Sequence, residues 1–310
     1  MIRQPEKQNY TEENICMIIC GLPGVGKTTV ASSAPLPVVF DADRGMKRVK
    51  PEHRCTASTT DTYEEFLEDI KSLGDDYKTI VIDTGGALIE LMKEWAMRTE
   101  PSATKKNGGF SLQGYGVIKS EFLRLSAEIR KKYNVIFIFH AQKDKVDEEV
   151  FYDLVVEGAT KTIVWQPCDL GAYMFIQNGK RYLGFTPTAN YNAKSSFGIS
   201  GLIEIPELAP GDKNDFLSKL FEVVRENIRK ECEELEPQKD AYNAAMDTGR
   251  QLIECVNLPE DVTPCLDALG KLDHALTSEK ELKTLLKERM KDVGIAYNKN
   301  TKQYEAVTKK

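Results

Sequence analysis

The sequence predicts an α/β fold: a mainly parallel sheet with an antiparallel hairpin at its edge, followed by a mainly helical C-terminal region. Three observations predict it. Short, almost continuous apolar runs alternate with amphipathic stretches up to about residue 170, as in a parallel sheet covered on both faces. Asn178-Gly179 separates two further apolar runs, and Asn-Gly favours the tight primed turn of a hairpin. Beyond residue 212 the apolar spacing is helical.

The elements follow in order. Residues 1–14 are polar and mixed in charge; they read as a separate segment and not as a secretory signal. Residues 15–20, Ile-Cys-Met-Ile-Ile-Cys, read as a buried strand. A glycine-rich turn follows, and residues 28–33 continue it as a helix. Pro37-Val-Val-Phe40 is a second strand, ending in Asp41-Ala-Asp43. Residues 62–73 form a helix with Phe66 and Ile70 four apart. Residues 78–83, Lys-Thr-Ile-Val-Ile-Asp, are the next strand. Helices follow at 88–97, with Leu88, Leu91, Met92 and Trp95 on one face, and at 120–131, around Phe122, Leu125 and Ile129. The strand at 134–139 is fully apolar and ends at His140. The hairpin spans 172–185. A boundary at 206–212 carries Pro206, Pro210 and Gly211. These readings divide the chain into 1–14, a core at 15–205, and a helical region at 212–310. In that region Leu217, Leu220, Phe221, Val224 and Ile228 form one stripe, and Leu282, Leu285, Leu286 and Met290 another. Residues 294–307, with Ile295, Tyr297, Tyr304 and Val307, suit a small terminal hairpin.

Composition sets outer limits. The 310 residues are 41% hydrophobic and 29% charged, ordinary for a globular chain. No apolar run approaches a membrane span. The net charge of −6 means that any nucleic-acid contact must come from a local patch. The 7 cysteines show no metal or disulfide rhythm, and the 3 histidines are scattered. They read as reduced, mostly buried thiols of a cytoplasmic protein.

The chemistry lies in the glycine-rich turn. Gly21-Leu22-Pro23-Gly24-Val25-Gly26-Lys27-Thr28 fits G-x-x-x-x-G-K-[ST], the phosphate-binding P-loop. Strand, turn and helix start aim backbone N–H groups and a helix dipole at one place, which suits a polyphosphate. Residues 21–28 and Thr29 are the candidate nucleotide contacts. ATP and Mg²⁺ are the implied cofactors, with Lys27 on the β- and γ-phosphates and the Thr28 hydroxyl on the metal. Asp83, closing an apolar strand, is the candidate second metal-side carboxylate. Hydrolysis also needs a group that orients water. The position after Asp83 is Thr84, so that group comes from elsewhere: Asp43 first, Asp41 second. His140 and Gln142 follow an apolar strand. They read either as γ-phosphate sensors or as a solvent-facing strand-end pair.

In this order, these motifs resemble the RecA core. In that family a catalytic glutamate ends the strand after the P-loop, where this chain has Asp43. Asn192-Ala-Lys194 resembles a family segment whose lysines reach the nucleotide of the adjacent subunit. The resemblance implies that Lys194 acts in trans, in a ring or filament with nucleotide between subunits. Residues 12–200 look most like the phage RecA-like single-strand annealing proteins of the Sak group. That implies an ATPase of the host cytoplasm that binds and anneals single-stranded DNA in recombination. Two departures stand out. Asp43 is a methylene shorter than glutamate. The loop after Gln142 mixes Lys143 and Lys145 with Asp144, Asp147, Glu148 and Glu149, a poor surface for phosphates.

Three other segments read either as DNA contacts or as solvated faces. They are the cluster Arg44, Lys47, Arg48, Lys50 and Arg54; the loop 99–111 with Lys105, Lys106, Gly108, Gly109 and Phe110; and a tail at 280–310 with nine Lys/Arg against four Asp/Glu. Two other functions stay open: a small-molecule P-loop kinase, and a nucleotide switch that binds a replication or single-strand-binding partner. The role of the helical region is open between interaction module, oligomerisation element and lid.

Overall fold

The computed structural model describes residues 13–146, 149–157, 160–299 and 301–306. Two compact units form, one up to Asn227 and one from Ile228. The division falls inside a long helix, downstream of the proline-containing stretch at 206–212.

The first unit contains β1 (Cys16–Gly21), α1 (Lys27–Ala31), β2 (Pro37–Asp41), β3 (Thr56–Ser58), α2 (Tyr63–Ser72), β4 (Thr79–Asp83), α3 (Gly85–Thr99) and α4 (Leu112–Ile129). It continues with β5 (Asn134–Val146), β6 (Glu149–Leu154), α5 (Thr160–Ile163), β7 (Leu170–Gln177), β8 (Lys180–Gly184) and β9 (Leu202–Ile205). The strands form one sheet in the order β3-β2-β4-β5-β1-β7-β8-β9, with β6 paired to β5. From β3 to β7 the neighbours run parallel; β8 and β9 extend the edge antiparallel. The α/β expectation with an antiparallel edge hairpin therefore holds.

Alternation along the strands builds two buried faces. Ile18, Phe40, Ile82 and Phe137 point to the face covered by Phe66, Met92 and Phe122 of α2, α3 and α4. Met17, Ile19, Val39, Val81 and Ile136 point the other way and are also buried. A sheet buried on both sides explains the unbroken apolar runs. One strand, β5, lies between β1 and β4. Its register pairs His140 with Gly21 and Ile138 with Asp83. The side chain at position 140 is thereby delivered between the P-loop and the strand that ends in Asp83.

Three segments differ from the sequence reading. The stretch after Gln142 is not a loop: β5 runs on and pairs with β6 in a hairpin, Ala141 opposite Leu154 through Val146 opposite Glu149. On this ribbon Gln142 and Lys143 are exposed, while Tyr152 of β6 packs against Tyr173, 5.3 Å between ring centres. Asp147 and Glu148 lie outside the described residues. Helix α4 begins at Leu112, eight residues before the expected 120, because the Ser111 side chain accepts the Gly114 N–H at 3.0 Å as its N-cap. The basic loop 99–111 is folded by pairing of Thr104 with Phe110. Phe110 packs edge-on to Tyr115, 5.0 Å between ring centres, so its ring is already engaged.

The second unit holds most of α6 (Phe216–Glu254), then α7 (Pro259–Leu269), α8 (Ser278–Asp292), β10 (Ile295–Asn298) and β11 (Gln303–Ala306). Its core gathers Met246, Ile253, Val262, Leu269, Leu282 and Ile295. The expected terminal hairpin is β10–β11, with Tyr297 opposite Tyr304; Val307 lies outside the described residues. No described helix is long and apolar enough to cross a membrane.

Candidate nucleotide-binding site

The P-loop joins β1 to α1 over residues that only glycine serves well. Gly24 and Gly26 have φ of 82° and 105°, in the left-handed region that other residues resist. At Gly21 a Cβ would lie 2.5 Å from the Met174 carbonyl oxygen, so strand β7 approaches too closely for a side chain. α1 starts directly after Gly26 with no side-chain cap, and the first N–H groups of a helix have no partner within it.

Lys27 is buried. Its ammonium donates to the carbonyls of Gly21 and Leu22, both at 2.9 Å, and lies 3.3 Å from His140 Nδ1. An ammonium has no lone pair, so His140 Nδ1 must accept, and the ring proton then sits on Nε2. That nitrogen faces Asp43 Oδ2 at 3.6 Å. Burial pushes the Lys27 pKa down, against the attraction of Asp83 and Asp43.

The Thr28 hydroxyl donates to Asp83 Oδ2 at 2.6 Å. Burial pushes the Asp83 carboxyl above the usual carboxylate range; the Thr28 hydrogen bond opposes this, and the charges of Asp41 and Asp43 add to it. Thr84 is the N-cap of α3, its side chain accepting the Ala87 N–H at 3.2 Å. The position after Asp83 therefore serves the helix start.

Asp41 and Asp43 separate cleanly. Asp41 is buried, and its two oxygens accept the N–H groups of Gly45 at 2.6 Å and Met46 at 2.8 Å. It caps the turn after β2. The Asp43 N–H bonds to the Asp83 carbonyl at 3.2 Å, which ties it beside the end of β4. Its carboxylate faces His140 and pairs with Arg48 at 3.2 Å. Lys27, Thr28, Asp83, Asp43 and His140 thus converge.

Gln142 and Lys194 stand apart. Gln142 is exposed, two residues further along β5, and its amide bonds the Asp144 carboxylate. Lys194 pairs with Gly171, and its ammonium donates to the Cys168 carbonyl. Gly171 is opposite Ile18, about 10 Å along β1 from the P-loop. Lys194 does not reach the P-loop of its own chain.

Arg181, on β8, escaped the sequence reading. Its guanidinium Nε donates to the Val25 carbonyl at 3.1 Å and lies 3.6 Å from where a Gly26 Cβ would be. The signal was available: an arginine just past the hairpin turn, on the strand next to the partner of β1. The basic cluster after β2 is largely spent within the chain. Arg44 pairs with Asp61 at 2.6 Å, Arg48 with Asp43, and Arg54 donates to the carbonyls of Val49 and Lys47.

The fit to Mg²⁺ is direct. Thr28 Oγ1 and Asp83 Oδ2 are hard oxygen donors held together at a helix start, and Mg²⁺ uses few protein ligands beside phosphate and water. Among the described residues no cluster of three or more His, Cys, Asp or Glu offers a separate metal site.

Comparison with known proteins follows this geometry. No curated protein matches the chain. Among solved structures, an ATPase from the type III secretion system of pathogenic bacteria is similar at 12% identity and TM-score 0.30, over 53% of this chain and 52% of that one. This chain thus spans about half the length of that protein. The flagellar accessory protein FlaH from Methanocaldococcus jannaschii is similar at 11% identity and TM-score 0.32, over 64% of this chain and 91% of that one. A family model described as an AAA domain matches residues 13–197, more than half of the chain and all of the site, and the chain belongs to that family of P-loop ATPase domains.

Proposed function

We propose that this protein hydrolyses ATP with Mg²⁺ and uses the cycle to control binding and annealing of single-stranded DNA in phage or prophage recombination. One observation carries the hydrolysis: Asp43, His140 and Lys27 form a continuous run beside the Thr28–Asp83 pair. The P-loop amides and Lys27 bind the phosphates. Thr28 and Asp83 hold Mg²⁺, which supplies charge stabilisation to the phosphates. Asp43 accepts a hydrogen bond from the attacking water, with His140 Nε2 at 3.6 Å from its carboxylate.

The finer reading rests on the order of the motifs, which resembles the RecA core. Lys194 lies away from its own P-loop, with its ammonium on the Cys168 carbonyl; in this reading it acts on the nucleotide of a neighbouring subunit in a ring or filament. Single-stranded DNA and a single-strand-binding protein are the partners of this reading, and the host cytoplasm its setting.

A second reading is a nucleotide switch with little turnover. The Asp43–Arg48 ion pair favours it, because a carboxylate engaged with a guanidinium is a weaker acceptor for water. The kinase reading has less support: among the described residues, the stretch after His140 is a β-hairpin and not an arginine-bearing lid.

ATP hydrolysis with and without single-stranded DNA, for the native protein, Lys27→Ala and Asp43→Asn, separates these readings. DNA-stimulated turnover, lost about 100-fold or more in both variants, supports the annealing ATPase. Turnover indifferent to DNA sinks it. Tight ATP binding without turnover leaves the switch.

A further inference from the structure

A cavity of about 260 Å³ opens beside the P-loop. Gly26, Thr29 and Val30 form one side, at the first turns of α1. Arg181 contributes from β8, and Leu208 from the segment between β9 and α6. His53, from the turn that follows β2, also lines it. The mechanism above uses neither this cavity nor His53.

His53 is anomalous. It is only 6% exposed, yet neither ring nitrogen has a hydrogen-bond partner. A buried polar group without a partner is destabilising, and such a group persists where a ligand supplies the missing bond. A neutral imidazole offers a donor at one ring nitrogen and an acceptor at the other, pointing apart, and the four nucleobases differ in which of their edge atoms donate and which accept. The location agrees. Phosphates bound at the α1 N-terminus leave the rest of the nucleotide next to Gly26 and Thr29. Apolar walls from Val30 and Leu208 suit a planar ring, and a guanidinium such as Arg181 stacks on one. Arg48 and Lys50 are exposed side chains on the same cavity, and a base reaches the shielded nitrogens only where the lining moves aside.

We propose that this cavity receives the nucleobase and ribose and that His53 determines which base is accepted. The proposal rests on the ATP-binding reading, and the test separates the two. Affinities are measured for ATP, GTP, CTP, UTP and inorganic tripolyphosphate, on the native protein and on His53→Leu, His53→Gln and Leu208→Trp. The native protein is expected to spread the four nucleotides over about tenfold or more. His53→Leu should compress that spread to about threefold while tripolyphosphate affinity stays unchanged, which also reports an intact P-loop. His53→Gln, which keeps a donor and an acceptor, should restore part of the ranking. Leu208→Trp, narrowing the cavity from a surface segment, should bring every nucleotide towards the affinity of tripolyphosphate. A native ranking retained in His53→Leu overturns the proposal. So does a native protein that ranks no base above another, or a Leu208→Trp variant with unchanged nucleotide affinities. Failure of the native protein to bind either tripolyphosphate or any nucleotide overturns the ATP-binding reading itself.

Discussion

Asp83, the carboxylate proposed to hold Mg²⁺, is buried at a cost to stability. Its carboxyl is buried and pushed above the usual carboxylate range, chiefly by desolvation. The folded state thus binds this proton more tightly than the unfolded state. Stability from Asp83 therefore rises as pH falls from above the raised value towards the ordinary carboxylate range, and is lost as pH climbs back. Asp83→Asn removes the charge and keeps an acceptor for Thr28. We expect it to stabilise the nucleotide-free protein at neutral pH. That gain should shrink as pH is lowered, while ATP hydrolysis falls about 100-fold or more. Thermal unfolding across pH, beside an activity assay, checks both. A variant less stable than the native protein at neutral pH refutes the account. At this scale the sequence was legible where a residue's role follows from its neighbours in the chain. Lys27, Thr28 and Asp83 each end or begin an element whose pattern is local. Arg181 lay just past a readable hairpin turn, but only the pairing of β7 with β1 puts it on the P-loop, and no local pattern brings the turn holding His53 to the same cavity.

Among the elements, the β7–β8 hairpin matters most for the site. It places Arg181 on the Val25 carbonyl, a neutral partner that an incoming phosphate or ribose can outbid. Arg181→Ala should weaken ATP binding about tenfold, and Arg181→Lys should not fully restore it, since lysine lacks the planar fork. Titration with ATP tests this; unchanged affinity in Arg181→Ala would assign the residue to holding the loop alone. The same scale explains what the sequence hid. β1, β4 and the first half of β5 are apolar runs and were readable. β3 is three residues, Thr-Ala-Ser, largely exposed at the sheet edge, so no burial pattern marks it. The second half of β5 pairs only with β6 and carries the polar residues of a ribbon. The first turns of α4 contain Gly114 and Gly116, which have poor helix propensity. There Gly114 is required by contact: a Cβ would lie 2.6 Å from the Phe110 ring.

For the whole molecule, the two units have separate cores, one around the sheet and one around Leu282. Ligand binding stabilises only what it binds, by about 2.7 kcal/mol at a hundredfold excess over Kd. Saturating ATP should therefore slow hydrogen exchange in β1, β4 and β5 and leave α7 and α8 unchanged. Leu282 is fully buried, and a Cβ on Gly249 would lie 2.5 Å from it. Leu282→Ala is expected to cost the second unit about 2–5 kcal/mol with ATP affinity unaltered; a matching loss of ATP affinity would show that the units are energetically one. β9, the last strand of the sheet, ends at Ile205, before the proline-containing stretch at 206–212, whereas the division at residue 228 falls within α6, and no change of composition marks it. One geometric property of β5 bears on how such a molecule can report its nucleotide state. The strand is a single rod of 13 residues with His140 at its middle. The six residues beyond it reach about 20 Å. A tilt of about 10° at the imidazole would carry the far end through about 3 Å, because the half of β5 beyond His140 pairs only with β6 while the half before it is held by β1 and β4.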